Sequence, residues 1–147
     1  MDRGVISVKS VQFSVAVHIL AVLGFHHGEE VCSKILAGSV NADPTFVRKS
    51  LSKLSKAGLV VTKRGKSGSA TLARAPRKIT LLDIYRASGA SSGFGVHSYN
   101  VQPRCPVSCG LKPRLSDLLS QAQDSFEKSL ARTTIADLVS EIRHNEG

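Results

Sequence analysis

Ser39-Val40-Asn41-Ala42-Asp43-Pro44-Thr45-Phe46-Val47-Arg48-Lys49-Ser50-Leu51-Ser52-Lys53-Leu54-Ser55-Lys56-Ala57-Gly58 is the stretch from which the fold is read. Asp43 is a good N-cap, Pro44 suits the first helical position because its missing N–H is not needed there, and Gly58 stops the helix. A helix from Pro44 to about Ala57 follows. Val47, Leu51 and Leu54 fall at i, i+4 and i+7 and form its buried stripe, which leaves Thr45, Arg48, Lys49, Ser52, Lys53 and Lys56 outward. Upstream, Ser33 reads as the N-cap of a short helix through Ile35, Leu36 and Val40 that ends near Asn41. Two helices joined by the turn at Asn41 and Ala42 make a helix-turn-helix pattern.

Working outward, Leu59 to Lys63 reads as a strand, Gly65 to Gly68 as a turn and Ala70 to Leu72 as the returning strand, so a hairpin wing follows the second helix. Pro76 breaks the chain, and Thr80 with Asp83 forms a capping-box-like start for a short helix, Leu81 to about Ala87. On the other side, Ser10 can cap a helix from Val11 to about His26. Val11, Val15, Ile19, Val22 and Leu23 give it a broad apolar surface, as a central, heavily buried helix needs. The apolar run Val11 to Phe25 is shorter than the roughly 20 residues that cross a bilayer. It holds His18, and no A-x-A-like cleavage site follows, so neither a membrane span nor an export signal is read there.

Ser88 to Pro103 is rich in glycine and serine, lacks an apolar period and reads as a loop containing His97. Beyond it Leu111, Leu115, Leu118, Leu119, Ala122, Phe126 and Leu130 mark one side of a long helix of about 30 Å, which needs a partner surface. Thr133 or Thr134 can cap a last helix carrying Ile135, Leu138, Val139 and Ile142.

Charge separates the classes of function. Between Asp43 and Asp83 there is no acidic residue and there are ten basic ones (Arg48, Lys49, Lys53, Lys56, Lys63, Arg64, Lys66, Arg74, Arg77 and Lys78), while the whole chain of 147 residues is only +9. The cations are therefore local, which is the electrostatic footprint of a phosphate-backbone binder. On the helix from Pro44, Thr45, Arg48, Lys49 and Ser52 are placed to reach base edges in a major groove, with Lys53 and Lys56 toward phosphate. Arg48 is the preferred reader, since a bidentate arginine on guanine contributes about 1 to 3 kcal/mol of discrimination. Phe46 is read as core. On the wing, Lys63, Arg64, Lys66, Ser67 and Ser69 surround two glycines and suit phosphate contact. Gly65-Lys66-Ser67 is not a P-loop, because Val60 stands where that motif needs glycine and a strand follows instead of a helix. No nucleophile motif and no paired-carboxylate pattern stands out, so an enzyme is not expected.

Three cysteines in a chain of this length do not make a disulfide framework and point to a reducing cytosol. Cys105 and Cys109 lie four apart at the long helix, with Cys32 far upstream. Redox-sensing thiols, structural cysteines and a metal or cluster site all remain open from the residues alone. His97 added to Cys105 and Cys109 makes three ligands, fewer than a closed zinc site needs unless Cys32 or a second subunit contributes. His18, His26, His27 and His144 show no ligand spacing, and no metal site is assigned.

Several motifs occur in order: Phe13-Ser14-Val15-Ala16-Val17-His18-Ile19-Leu20, Ser39 to Pro44, Lys56-Ala57-Gly58-Leu59-Val60, Ile79-Thr80-Leu81-Leu82-Asp83-Ile84-Tyr85-Arg86-Ala87 and Cys105-Pro106-Val107. Together they resemble the IscR/NsrR/CymR family of bacterial winged-helix regulators over nearly the whole chain. The resemblance implies a homodimer held by the long helix, binding to a pseudo-palindromic double-stranded DNA operator, control of transcription, usually repression, and a signal sensed at the loop and the Cys105 region. Cluster-binding members carry three cysteines in that region at wider separation, whereas this chain has Cys105 and Cys109 alone, a departure from the iron–sulfur pattern. Members without the triplet can respond through thiol oxidation. Cys105 matches a cysteine that many of them place before Pro-Val, and Cys109 departs from them as a candidate resolving thiol. The wing departs too, with Ser69 and Ala70 where a second glycine and a bulkier residue are common.

The expectation is a mainly α protein with a small β-hairpin wing. It comprises a winged helix-turn-helix DNA-binding domain over 1–88, a cysteine-bearing sensor loop over 89–110 and dimerisation helices over 111–147. The expected function is that of a cytoplasmic, homodimeric, sequence-specific DNA-binding repressor with thiol sensing through Cys105, Cys109 and Cys32, and no cofactor. The competing readings are an iron–sulfur-dependent regulator, a non-enzymatic module docking on an acidic protein, and an RNA-binding winged helix.

Overall fold

Helix α1, Val8–Phe25, is apolar around most of its circumference, and a helix of that kind is stable only when other elements surround it. The computed structural model describes residues 8–64, 68–90 and 94–146. Within them α1 packs against α2 (Ser33–Val40), α3 (Pro44–Lys56), α4 (Leu81–Ala87), α6 (Ile135–Glu146) and strand β3 (Ser69–Leu72). Ala16, Ile19 and Leu20 are completely buried at its centre, with Leu36, Val47, Leu54, Ile79, Ile84 and Ile135 arriving from the surrounding elements. Phe13 meets Tyr85 of α4 edge to face, 5.7 Å between ring centroids, a geometry that adds to area burial. The helix begins ahead of Ser10, since nothing in Val8 or Lys9 opposes helix and a potential cap yields to propagation. Among the described residues no helix is long and apolar enough to cross a membrane.

The sheet has three antiparallel strands in the order β1-β3-β2, where β1 is Val31–Cys32 and β2 is Val60–Lys63. Val60 pairs with Leu72 and Lys63 with Ser69 in the hairpin, while Val31 and Cys32 pair with Ala70 and Ser69 on the other edge of β3. The hairpin matches the sequence reading; the two-residue third strand does not appear in it. Gly65, Lys66 and Ser67, the wing-tip residues expected from sequence, lie outside the described residues.

Helix α4 starts with the expected capping box. Asp83 N–H donates to Thr80 Oγ1 at 3.1 Å, and Thr80 N–H donates to Asp83 Oδ2 at 3.0 Å. The same device recurs at α6, with Asp137 N–H on Thr134 Oγ1 at 3.1 Å and Thr134 N–H on Asp137 Oδ2 at 2.9 Å. Thr80 and Thr134 form a β-bridge, so the two capped starts are tied together. Grouped by sequence with the long helix, α6 instead packs on α1. Arg143 lies 4.2 Å above the Phe25 ring centroid and donates to the Phe25 carbonyl.

The chain divides into two compact units, residues 1–90 with 130–147, and residues 91–129. In the second unit the segment from Phe94 leads into α5, Pro106–Ala131, which starts five residues before the expected Leu111. Tyr99 anchors the segment to that helix. Its hydroxyl donates to the Ser108 carbonyl at 2.7 Å and accepts from Lys112 N–H at 3.3 Å, two groups about one turn apart on the helix. His97 stacks on the Tyr99 ring at 4.9 Å, and Gln102 N–H donates to Ser108 Oγ at 2.8 Å.

Two predictions follow from this packing. A Cβ on Gly24 would stand 2.8 Å from Ile135 and 3.2 Å from Val139, so Gly24→Ala pushes α6 off α1 and should cost about 1–3 kcal/mol in denaturant unfolding. Tyr99→Phe deletes both hydroxyl contacts, and the Lys112 amide should exchange with solvent deuterium about tenfold faster than in the parent protein.

Candidate nucleic-acid interface

Helix α3 presents the cationic face. Asp43 caps it by accepting from Thr45 N–H at 2.7 Å, and Pro44 holds the first helical position. Asn41 turns the chain between α2 and α3 in the left-handed conformation at φ 56°, with its N–H returned to the Ala37 carbonyl. That conformation suits asparagine among non-glycine residues. Val47, Leu51 and Leu54 are buried, and Phe46 packs against the same core. The opposite face carries Thr45, Arg48, Lys49, Ser52, Lys53 and Lys56, all exposed. One stripe fastens the helix while the other remains accessible.

Within that face Arg48 Nη2 donates to Thr45 Oγ1 at 3.3 Å, so the preferred base reader and a second candidate lie side by side. Lys53 runs along the end of α4, where a Cβ on Gly89 would meet its Nζ at 3.0 Å. On the wing, Lys63 and Arg64 are exposed, while Ser69 is partly covered. Lys66 and Ser67 fall outside the described residues.

Lys63 has a partner that local sequence did not reveal. Its ammonium forms a salt bridge with Glu30 Oε1, and Glu30 Oε2 accepts from Ser69 Oγ at 3.4 Å. The Lys63 hydrogen bond and charge hold the Glu30 carboxyl below the usual carboxylate range, and the same contact holds Lys63 above the usual lysine range. The lowered carboxylate keeps the pair intact until pH falls through its folded-state pKa, and the raised amine keeps it intact until pH rises through its own. Both partners are charged and paired across the neutral range. A separation of 33 residues leaves no local pattern from which to read Glu30.

The three cysteines are free thiols. Cys32 belongs to the first unit, partly buried in β1 opposite Ser69, and stands at the N-cap of α2 with extended backbone. Cys105 and Cys109 belong to the second unit and are exposed. Cys105 immediately precedes α5, where its Sγ accepts from Ser108 N–H at 3.4 Å. The Cys109 thiol points back at the carbonyls of Gln102 and Pro103, at 3.6 and 3.7 Å. Both sulfurs thus engage backbone groups of their own turn. Among the described residues no three His, Cys, Asp or Glu side chains gather into a group that could hold a metal ion. Cys105, Cys109 and His97 thus do not assemble a metal or cluster site among those residues.

Along α5 the stripe of Leu111, Leu118 and Phe126 remains 39–44% exposed, and none of the helix's 26 residues is buried. Exposed apolar side chains at helical spacing are a common feature of contact surfaces.

Comparison with known proteins places this geometry. The family described as "Rrf2: Iron-dependent Transcriptional regulator" matches residues 9–141. The chain is similar to YwnA of Bacillus subtilis (strain 168), whose name assigns it to the HTH-type transcriptional regulators, with 33% identity over 132 residues covering 89% of this chain and 96% of that one. It is also similar to the structure of CymR (YrzC), the global cysteine regulator of B. subtilis, at TM-score 0.66 and 26% identity, covering 92% of this chain and 96% of that chain. The structure of T. potens IscR shares the fold at TM-score 0.71 and 23% identity over 98% of this chain and 93% of that chain. A capped second helix with its cations outward, a wing beside it and a match spanning nearly the whole sequence lead to one conclusion: the chain belongs to the Rrf2 family of winged-helix transcriptional regulators, which are DNA-binding proteins and not enzymes.

Proposed function

We propose that the protein is a cytoplasmic, homodimeric repressor that binds a pseudo-palindromic operator and changes its affinity when its thiols are oxidised. The observation that carries the DNA-binding part is the sorting of α3 into a buried apolar stripe and an exposed face bearing Arg48, Lys49, Lys53 and Lys56 without an acid between them. In this reading Thr45, Arg48, Lys49 and Ser52 meet base edges. Lys53, Lys63, Arg64, Lys66 and Ser67 meet the phosphate backbone. The exposed stripe on α5 supports the dimer, and two copies of α3 then address two half-sites.

The sensing part rests on the turn that begins α5. Oxidation of either thiol to a sulfenic acid, with two electrons passing to peroxide or hypochlorite and water or chloride leaving, puts an oxygen on the sulfur: at Cys105 on the atom that now accepts the Ser108 N–H, and at Cys109 in place of the S–H directed at Gln102 and Pro103. Either event loosens the segment that Tyr99 fastens to α5, the helix proposed to hold the dimer. Cys32, at the root of β1 beside the wing, offers a second route from thiol chemistry to DNA contact.

Fluorescence anisotropy on a duplex from the region upstream of its own gene tests both parts. Binding should weaken steeply with salt, and peroxide or hypochlorite treatment should change the affinity of the wild type but not of a variant lacking all three cysteines. Equal affinity in the two redox states would remove the sensor, while binding indifferent to salt would remove the interface. Arg48→Ala should relax discrimination at one base pair by about 1–3 kcal/mol, whereas Lys53→Ala should weaken all duplexes alike. Leu118→Arg on the α5 stripe should yield monomers by light scattering and lower operator affinity about tenfold or more, since two half-sites no longer bind together.

A further inference from the structure

Of the described cations between Asp43 and Asp83, Lys63 is the one with a carboxylate partner, and that partner, Glu30, comes from outside the acid-free stretch. The sheet puts Glu30 there. It immediately precedes β1, whose Cys32 is opposite Ser69, and Ser69 is in turn opposite Lys63. One Glu30 oxygen engages the ammonium at the end of β2 and the other accepts from the hydroxyl at the start of β3. A lysine ammonium and a serine hydroxyl converging on two oxygens of one anion are the groups with which proteins hold a nucleic-acid phosphate. Glu29, the neighbouring acid, is directed instead to His26 at 3.7 Å.

We propose that Glu30 is a built-in phosphate mimic: it occupies Lys63 and Ser69 in the unbound protein and competes with the DNA backbone for them, setting the wing's affinity. This rests on the reading that Lys63 contacts phosphate. Both partners are solvent-exposed, 67% for Lys63 and 50% for Glu30, so the pair is weak enough to exchange for a phosphate. The exchange has two consequences. Binding loses the Glu30 contact as it gains the phosphate, and the freed carboxylate then faces the DNA and recruits a cation. That uptake offsets one of the counterions released from DNA, so the salt dependence is shallower than the number of phosphate contacts implies. The penalty falls on sequence-independent contacts, leaving the base-reading face of α3 untouched.

The test uses the full chain, wild type and three variants, Glu30→Gln, Lys63→Met and the double variant, each checked for the parent's circular dichroism and melting profile. Anisotropy is read against salt on a short duplex of mixed sequence and on one from upstream of its own gene. Glu30→Gln should tighten binding to both duplexes about two- to fivefold at low salt and steepen the log–log salt slope by up to about 0.9. The gain should vanish in the double variant. Unchanged or weaker binding by Glu30→Gln, with Lys63→Met still weakening binding, overturns the mimic and leaves the wing contact standing. No effect of Lys63→Met in either background removes the wing contact and the mimic with it. If Lys63→Met disturbs the fold, Lys63→Gln replaces it and the same outcomes apply.

Discussion

Burial of α1 is the constraint on which the rest of this molecule depends. With Val15, Ala16, Ile19, Leu20 and Leu23 all buried and a narrow edge at Val11, Ser14 and His18 left to water, this helix needs α2, α3, α4, α6 and β3 each to contribute a wall. Each wall element is amphipathic and turns its apolar side inward. What α3 leaves outside is therefore decided by what it must put inside. Its cations are displayed because Val47, Leu51 and Leu54 are taken up by the core.

The same logic explains how the wing is built. A two-stranded hairpin is marginal in water, and this one gains a third strand from the segment before α2. Adding β1 brings more than hydrogen bonds, because the chain entering it carries Glu30 to the turn end of the hairpin strands. The wing therefore comes with its own counter-charge, in contrast to α3, where the described cations meet no carboxylate. In the proposed reading these two neighbouring surfaces are tuned differently, the helix for contact and the wing for exchange.

The second unit is organised on other terms. It has little core, and polar contacts hold the segment to α5: the Tyr99 hydroxyl between Ser108 and Lys112, Gln102 on Ser108, and the two cysteine sulfurs on backbone groups of the same turn. Bonds of this kind respond directly to a chemical change at a single polar atom. A chemical signal read there would act where little energy is needed to change the structure.

Local sequence was enough to determine the helix-turn-helix, the hairpin, the capped starts of α3, α4 and α6 and the cation-rich face, because caps, prolines and apolar periods act within a few residues of one another. Asp43-Pro44, Thr80 with Asp83, and Val47, Leu51 and Leu54 each carry their information over less than three turns. Tertiary structure alone decided the third strand, the packing of α6 on α1, the Tyr99 anchor and the Glu30–Lys63 pair. Two residues of strand have no period to detect, and an ion pair spanning 33 residues exists only once the sheet has brought its ends together. An exposed charge also looks the same in sequence whether it faces water, a carboxylate or a phosphate.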